Sequence, residues 1–522
     1  MTTFEWIIGL LLGAILLSAI ARRLNVPYPT FLALGGAGLA FLPVAPEWTL
    51  EPELALALFV APVLLDAAYD TSLRDLRDNW LAVSTLVVIA VGVTTASVAV
   101  VVHWLVPAMP WAAAVALGAI VAPPDAAAAT AILRQVRIPH RLLKILEGES
   151  LLNDASALLI YRVAVGAVAV QSLEVSEIAP SVLIALVGSP VAGYLFAKLT
   201  ARISARIEDP PSAVIMQFAN TFLVWIVAEN LGLSAILTIV VYAVTIARTA
   251  PGSTPARIRV PSYAVWETAV FVLNVLAFVL IGMQLRPILG NLPQELRMDY
   301  LAVAGAVLLT VIAVRLVWVM AFNTGLRMYI ARYGFHPRRP VMRPSAQGGF
   351  LVAWCGMRGI VTLAAAFALP DGSAGSTMFP YRDLILLTAF VVVLGSLLIQ
   401  GLTLGPLVRL LKMDTADPVA REVGFARGVA YRAALAAIDG DDSEAARLVR
   451  KEYQAVLSRS GADQGEFAES ELPADPLRRR GLAAARQAIL ALRDADDIGD
   501  DAFHRLEEEL DFAELNAGGR AA

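Results

Sequence analysis

Only one cysteine, Cys355, occurs in the 522 residues, so no intrachain disulfide can form. Its apolar surroundings mark it as a small packing residue. Polar surface is scarce as well: apolar residues make up 58% of the chain and mean hydropathy is +0.68. Those values exclude an ordinary soluble enzyme and indicate many membrane spans. No phosphate-binding glycine loop, metalloprotease helix motif or serine-nucleophile elbow is present, which argues against membrane enzymology. Neither a resident cofactor nor a nucleic-acid partner is expected. The opening residues, Met1-Thr2-Thr3-Phe4-Glu5, lack the basic stretch that begins a secretory signal, so the first apolar run is expected to be a retained span.

Apolar runs separated by polar or Pro/Gly-rich breaks predict an all-α membrane domain of thirteen spans. Approximate limits are 4–22, 29–43, 52–69, 79–106, 110–133, 142–170, 178–206, 211–229, 232–248, 261–286, 299–326, 346–370 and 381–411. The formal net charge of −4 says little, because the distribution of charge matters more. Loops after odd-numbered spans, with the span ends that flank them, carry nineteen basic residues, from Arg22 and Arg23 to Arg343. Loops after even-numbered spans carry three, Arg286, Arg297 and Arg382. This bias places the N-terminus outside and the C-terminus in the cytoplasm. The composition changes near Met413. Residues 1–412 read as the membrane domain and 413–522 as a cytoplasmic α-helical tail. Within the tail, 433–453 and 478–493 have helical spacing, Phe503, Leu506 and Leu510 repeat on one face, and Gly461 to Pro476 reads as a loop.

Two spans are interrupted. Span five contains Val121-Ala122-Pro123-Pro124-Asp125. Its proline pair removes two backbone donors at membrane depth, and the freed carbonyls must line a cavity, bind an ion or be re-bonded. A plain proline kink is the simpler reading. The buried carboxylate of Asp125, placed to cap a second half-helix, favours an ion site. Span twelve contains Gly356-Met357-Arg358-Gly359, and an arginine there can satisfy carbonyls at the end of a half-helix. The two breaks lie seven spans apart. That odd offset reverses membrane orientation, so spans 1–6 and 8–13 read as inverted-topology repeats with crossed discontinuous helices.

Span six carries Glu147-Gly148-Glu149-Ser150-Leu151-Leu152-Asn153-Asp154. Charge in hydrocarbon costs roughly 2.5–3.5 kcal/mol per group on insertion scales and usually faces a cavity or a partner. Residues four apart share a helix face. Ser150 and Asp154 are therefore neighbours, offering a hydroxyl and a carboxylate to an ion. Glu149 and Asn153 are also neighbours, so the amide is expected to hold the glutamate. Arg315, midway along span eleven, is the candidate partner of Glu149, which leaves Asp154 to exchange its load. A buried structural network is the alternative. Glu267 begins span ten and is read as a supporting residue or part of an entry funnel. Asp66, Glu229 and His103 lie near span ends, where an interfacial or structural role is expected. Arg162, two turns beyond Asp154, reads as a bundle contact or a charge that tunes the site.

These residues resemble the monovalent cation:proton antiporters of the sodium/proton exchanger type. Gly148 to Asp154 is similar to that family's central signature. Leu64-Leu65-Asp66-Ala67-Ala68-Tyr69, Ala228-Glu229-Asn230-Leu231 with Ser234, Trp266-Glu267-Thr268 and Gly356-Met357-Arg358-Gly359 match further motifs in order. The tail segment Arg505 to Asp511 resembles that of a bacterial subfamily. Pro123-Pro124-Asp125 departs from the family's usual Thr-Asp-Pro, so no threonine side chain is available there, although the Pro124 carbonyl is. Ala235 replaces a usual glycine.

The resemblance implies a homodimer in the plasma (inner) membrane, with a six-helix core moving against a dimerisation domain. It implies exchange of Na⁺, or Li⁺ or K⁺, for H⁺ by alternating access, serving cytoplasmic pH and sodium homeostasis. Asn at position 153 implies electroneutral 1:1 exchange. Asp154 would bind ion or proton, Ser150 and the Pro124 carbonyl would coordinate, and Glu149 would contact the ion directly or through water. Asn153 would orient Glu149, and Arg315 would hold it. A gated monovalent cation channel with a regulatory tail is the alternative. Channels, however, need a continuous hydrated pore, usually ringed by symmetric subunits, which one buried carboxylate per chain fits poorly.

Overall fold

A computed structural model describes residues 3–24, 26–42, 52–125, 138–170, 183–290, 292–334, 343–372, 378–413, 418–441 and 443–459, with isolated residues between 480 and 513. The chain divides into two compact units, Met1–Thr415 and Ala416–Ala522. Every regular element among the described residues is helical.

In the first unit the helices are α1 (Thr3–Arg23), α2 (Tyr28–Ala40), α3 (52–69), α4 (Leu73–Asp78), α5 (Trp80–Leu105), α6 (Trp111–Val121), α7 (His140–Val170) and α8 (Ile184–Ser204). They continue with α9 (Pro210–Asn230), α10 (Ala235–Ser253), α11 (Ala256–Met283), α12 (Leu285–Gly290), α13 (Arg297–Tyr333), α14 (Ala346–Trp354), α15 (Ile360–Phe367) and α16 (Arg382–Leu411). Seven described stretches are long and apolar enough to cross a membrane: α5, α7, α8, α9, α11 with α12, α13 and α16. The sequence predicts more spans partly because two of them are split. α6 ends at the proline pair, and α14 and α15 are halves of one predicted span, so none reaches spanning length alone. The second half of predicted span five, with Arg134 and Arg137, lies outside the described residues.

Helix starts follow local chemistry. The Ser345 hydroxyl accepts the Gly348 N–H at 3.0 Å and opens α14. Asp209 accepts the Ser212 N–H at 2.9 Å and opens α9, with prolines in its first turn. Hydrogen bonds from the Ser212 side chain and backbone hold the Asp209 carboxyl below its ordinary value. In α16 a wide π-type turn spans Leu397–Gly401, and the Leu397 carbonyl accepts the Thr30 hydroxyl at 3.0 Å.

Helix α6 sits inside the bundle. Ala113, Ala114, Ala116, Leu117 and Val121 are fully buried, and a helix apolar on all sides is one its neighbours surround. Helices α2 and α11 meet without side chains between them. A carbon added at Gly36 would strike the Val279 carbonyl, and one at Gly282 would strike the Ala33 carbonyl and the Ala37 amide.

The second unit contains α17 (Pro418–Ala437) and α18 (Glu444–Arg459), with Tyr431 and Tyr453 in edge-to-face contact. The sequence reads 433–453 as one helical stretch. The structure instead turns there, at Gly440, whose φ of 92° is a conformation side chains resist. Gly461 to Pro476 and most of 478–510 lie outside the described residues.

Candidate ion site

Helix α6 stops at Val121 because Pro123 and Pro124 supply no N–H to continue it. Helix α14 stops at Trp354, and the chain runs through Cys355 to Gly359 before α15 begins at Ile360. The two breaks meet: the Asp125 N–H donates to the Met357 carbonyl at 2.6 Å. Each break leaves helix-terminal carbonyls unpaired at depth, and an arginine serves each set. Arg358, 1% exposed, donates from Nε to the Val121 carbonyl at 3.0 Å and from Nη2 to the Ala122 carbonyl at 3.3 Å. It also bonds the Gly356 carbonyl, and its own N–H is received by the Ser396 hydroxyl at 3.0 Å. Arg315, 3% exposed, donates to the Ala353 and Val352 carbonyls at 3.2 and 3.1 Å. One cation thus closes the end of α6 and the other the end of α14, where helix dipoles concentrate negative potential.

Arg315 also clamps Glu149, which is 2% exposed, with Nη1–Oε1 at 2.5 Å and Nη2–Oε2 at 2.9 Å. This is the partnership the sequence suggested. Two-pronged guanidinium–carboxylate contact fixes both groups. Gly356 and Gly359 leave the room these charges need. An added carbon at Gly356 would meet the Arg315 side chain, and one at Gly359 the Asp125 carboxylate.

Asn153 differs from expectation. Its Nδ2 donates to the Pro124 carbonyl at 2.7 Å, in the break after α6, while Arg315 grips Glu149. Four-residue spacing puts Asn153 and Glu149 on one face, but each finds a stronger partner on a different segment. Asn153 therefore fixes the break, and one lone pair of the Pro124 carbonyl is already taken. The Asn153 Oδ1 is buried with no hydrogen-bond partner among the described residues.

Asp154, 9% exposed, lies one position further along α7. Among the described residues it forms no hydrogen bond or ion pair, and it experiences the like charge of Asp125 across the crossing. Ser150 is half-buried one turn before it. Glu267 is exposed on α11, and no hydrogen bond or ion pair joins it to this cluster among the described residues. Its neighbour Trp266 is buried, stacks on Phe218 at 4.1 Å and donates to Gln217 at 2.7 Å. Arg162 reaches the Leu233 carbonyl at 3.5 Å, a contact between helices. His103 meets the Met109 carbonyl at 3.0 Å and its ring packs on Trp111.

Sequence reasoning did not single out Ser396, Asn323 or Ser345. Asn323 donates to the Ser345 carbonyl at 3.0 Å and so ties α13 to the start of α14. A polar residue midway along an apolar helix was the available signal for Ser396 and Asn323.

Comparison with known proteins identifies the family. The family model described as sodium/hydrogen exchanger, transmembrane, matches residues 7–410. The chain belongs to the sodium/hydrogen exchanger family. An uncharacterized Na⁺/H⁺ exchanger of Mycobacterium tuberculosis is 29% identical over 98% of this chain and 95% of its own length. The sodium, potassium, lithium and rubidium/H⁺ antiporter of Bacillus subtilis is 27% identical over 98% of this chain and 77% of its own. The fold is similar to that of the sodium proton antiporter MjNhaP1 from Methanocaldococcus jannaschii, with a TM-score of 0.64 and 18% identity, covering 80% of this chain and all of that one. This exchanger is accordingly a multi-pass membrane protein and a secondary transporter that exchanges cations for protons.

Proposed function

We propose that this exchanger moves one monovalent cation against one proton, with Asp154 as the group the two ions share. The observation that carries the reading is the contrast around the crossing. Glu149, Arg315 and Arg358 are each tied to named partners, whereas Asp154 is buried and makes no hydrogen bond or ion pair among the described residues. A buried carboxylate in that condition needs a cation or a proton. The Ser150 hydroxyl and the second lone pair of the Pro124 carbonyl complete the oxygen set, with Glu149 contributing directly or through water. Asp125 and Arg358 support the crossing, and Glu267 belongs to an entry route.

Charge accounting favours 1:1 exchange. Glu149 pairs with Arg315, the crossing holds one further carboxylate (Asp125) and one further guanidinium (Arg358), and position 153 is a neutral amide. Asp154 bearing Na⁺ and Asp154 bearing H⁺ then present the same net charge. Na⁺ is the leading cargo, with Li⁺ or K⁺ as further substrates. The Bacillus subtilis relative, named as a sodium, potassium, lithium and rubidium/H⁺ antiporter, supports that breadth.

The same reading assigns thirteen spans in two inverted repeats, an external N-terminus, a cytoplasmic tail from residue 413, and a homodimer in the plasma membrane that regulates cytoplasmic pH and sodium. The basic-residue asymmetry supports the orientation. Proteoliposomes carrying a pH dye, with each cation added in turn, test the proposal. Cation-driven proton movement is the expected result. Passive conductance without proton movement would point to a channel instead.

A further inference from the structure

A cleft of about 570 Å³ opens beside α4, remote in sequence from the crossing. Arg74 and Arg77 rise from α4 into it, Arg248 enters from α10, and Trp80 forms a wall at the start of α5. All four side chains are exposed, Trp80 by 61%. Asp78 lines the cleft and Asp75 lies 3.7 Å from Arg74, so among the described residues three guanidinium groups face two carboxylates and leave a modest excess of positive charge. Beyond Trp80, Leu81, Val88 and Ile89 are also exposed on α5, which continues an apolar outer face away from the arginines. A tryptophan between a basic cluster and such a face marks headgroup depth.

Helix α4 is fastened to the carboxylate helix. His140 Nε2 lies 3.4 Å from Asp75, and Arg141 donates to the Asn79 side chain at 2.9 Å. Asn79 in turn donates to the Asp75 carbonyl at 2.9 Å. Leu76 packs where Gly148 leaves space, directly before Glu149 in the chain. What holds α4 therefore also holds α7.

We infer that this cleft binds the phosphate headgroup of an anionic phospholipid, gripped by Arg74 and Arg77 on one side and Arg248 on the other. Guanidinium forks match phosphate oxygens, and the partly apolar wall suits the glycerol region. The inference rests on the proposed orientation, which puts these arginines at the cytoplasmic leaflet, where anionic lipids attract basic residues. A lipid bound there bridges α4 to α10 and so couples α7, with Asp154, to a helix outside the crossing. Binding to protein in detergent is independent of membrane orientation and of transport, so its failure is distinguishable from failure of the exchange mechanism.

The test uses full-length protein in neutral detergent, with thermal unfolding followed against short-chain phosphatidylglycerol, short-chain phosphatidylcholine and inorganic phosphate. Phosphatidylglycerol should raise the melting temperature, and the other two should not. Arg248→Gln should weaken the response about fivefold, the equivalent of ~1 kcal/mol per basic residue near anionic lipid. Combined Arg74→Gln, Arg77→Gln and Arg248→Gln should abolish it, and lysine at the three positions should restore it only in part, because charge returns without the fork. Arg248→Gln, a single exposed change, carries the test if the triple variant folds poorly.

In vesicles of phosphatidylcholine with and without phosphatidylglycerol, the maximal exchange rate should differ for the wild type and not for the triple variant. An undiminished phosphatidylglycerol response in the variants, an equal response to phosphatidylcholine, or an equal response to inorganic phosphate would each overturn the lipid assignment. A lipid-dependent rate that the triple variant shares would overturn the coupling to α7.

Discussion

Arg315 holds both carboxylate oxygens of Glu149 while its remaining contacts close the last turn of α14. One side chain thus joins α13, α7 and the first half of the broken span. Removing either partner strands a buried charge, which costs roughly 3–5 kcal/mol. Arg315→Ala and Glu149→Gln should each lower the melting temperature well beyond the effect of Asp154→Asn. Unchanged melting and transport in Arg315→Ala would refute the structural weight given to the pair.

Asp154→Asn should give a folded protein without exchange, because the amide carries neither proton nor cation. On the proposed shared site, proton and cation compete for one carboxylate, so in the wild type the cation concentration for half-maximal exchange should rise as pH falls. Dye-loaded proteoliposomes across a pH series read both outcomes. Vigorous cation-driven proton flux in the variant would sink the shared-site mechanism.

Exchange should be indifferent to membrane potential. A net charge moved across the bilayer gains about 2.3 kcal/mol per 100 mV, so in K⁺-free buffer a diffusion potential set by a permeant anion such as thiocyanate would change the rate visibly if one were carried. Acceleration would indicate a second translocated charge, with Asp125 the first residue to substitute.

Gly359→Ala should push the crossing apart, because the added carbon meets the Asp125 carboxylate. A loss of about 1–3 kcal/mol in stability is expected from such overpacking, together with reduced exchange. Gly305→Ala, at a position on α13 with open space around it, serves as the control and should be close to neutral. Equal behaviour of the two variants would contradict the packing described at the crossing.

Deleting residues 420–522 should preserve cation selectivity while shifting the pH profile, the maximal rate or dimer stability. The basis is that every residue assigned to the ion site lies before Thr415, the end of the first compact unit. Complete loss of exchange in a folded, truncated protein would show that the tail takes part in transport itself.

Much of the site was legible in the chain because buried charge is rare and must be answered. Arg315 and Arg358 stood out against apolar sequence, and their obligations to Glu149 and to helix-end carbonyls followed from electrostatics. The proline pair and the glycine-flanked arginine likewise announced the two breaks. Asn153 was misread because helical spacing ranks neighbours within α7 and is blind to Pro124, a partner on another segment. The α4–α7 contact was hidden for a similar reason: Leu76 fitting against Gly148 depends on the shape of two distant pieces of chain. In the tail, the turn was marked by Asp439-Gly440-Asp441-Asp442-Ser443, a polar turn cluster that the helical spacing of the residues on either side outweighed.

The meeting of α2 and α11 at Gly36 and Gly282 sets a mechanical condition on the transport cycle. Where backbones touch, sliding one helix by a single residue rise, about 1.5 Å, drives carbonyls into Cα atoms, with no flexible side chain to absorb the shear. That seam is stiff against translation, as are those where Gly118 meets Thr95 and Gly193 meets Thr238. If Asp154 is exposed to one side and then the other as proposed, that travel falls to interfaces cushioned by side chains, and adding a methyl group at Gly36 or Gly282 would wedge their seam apart.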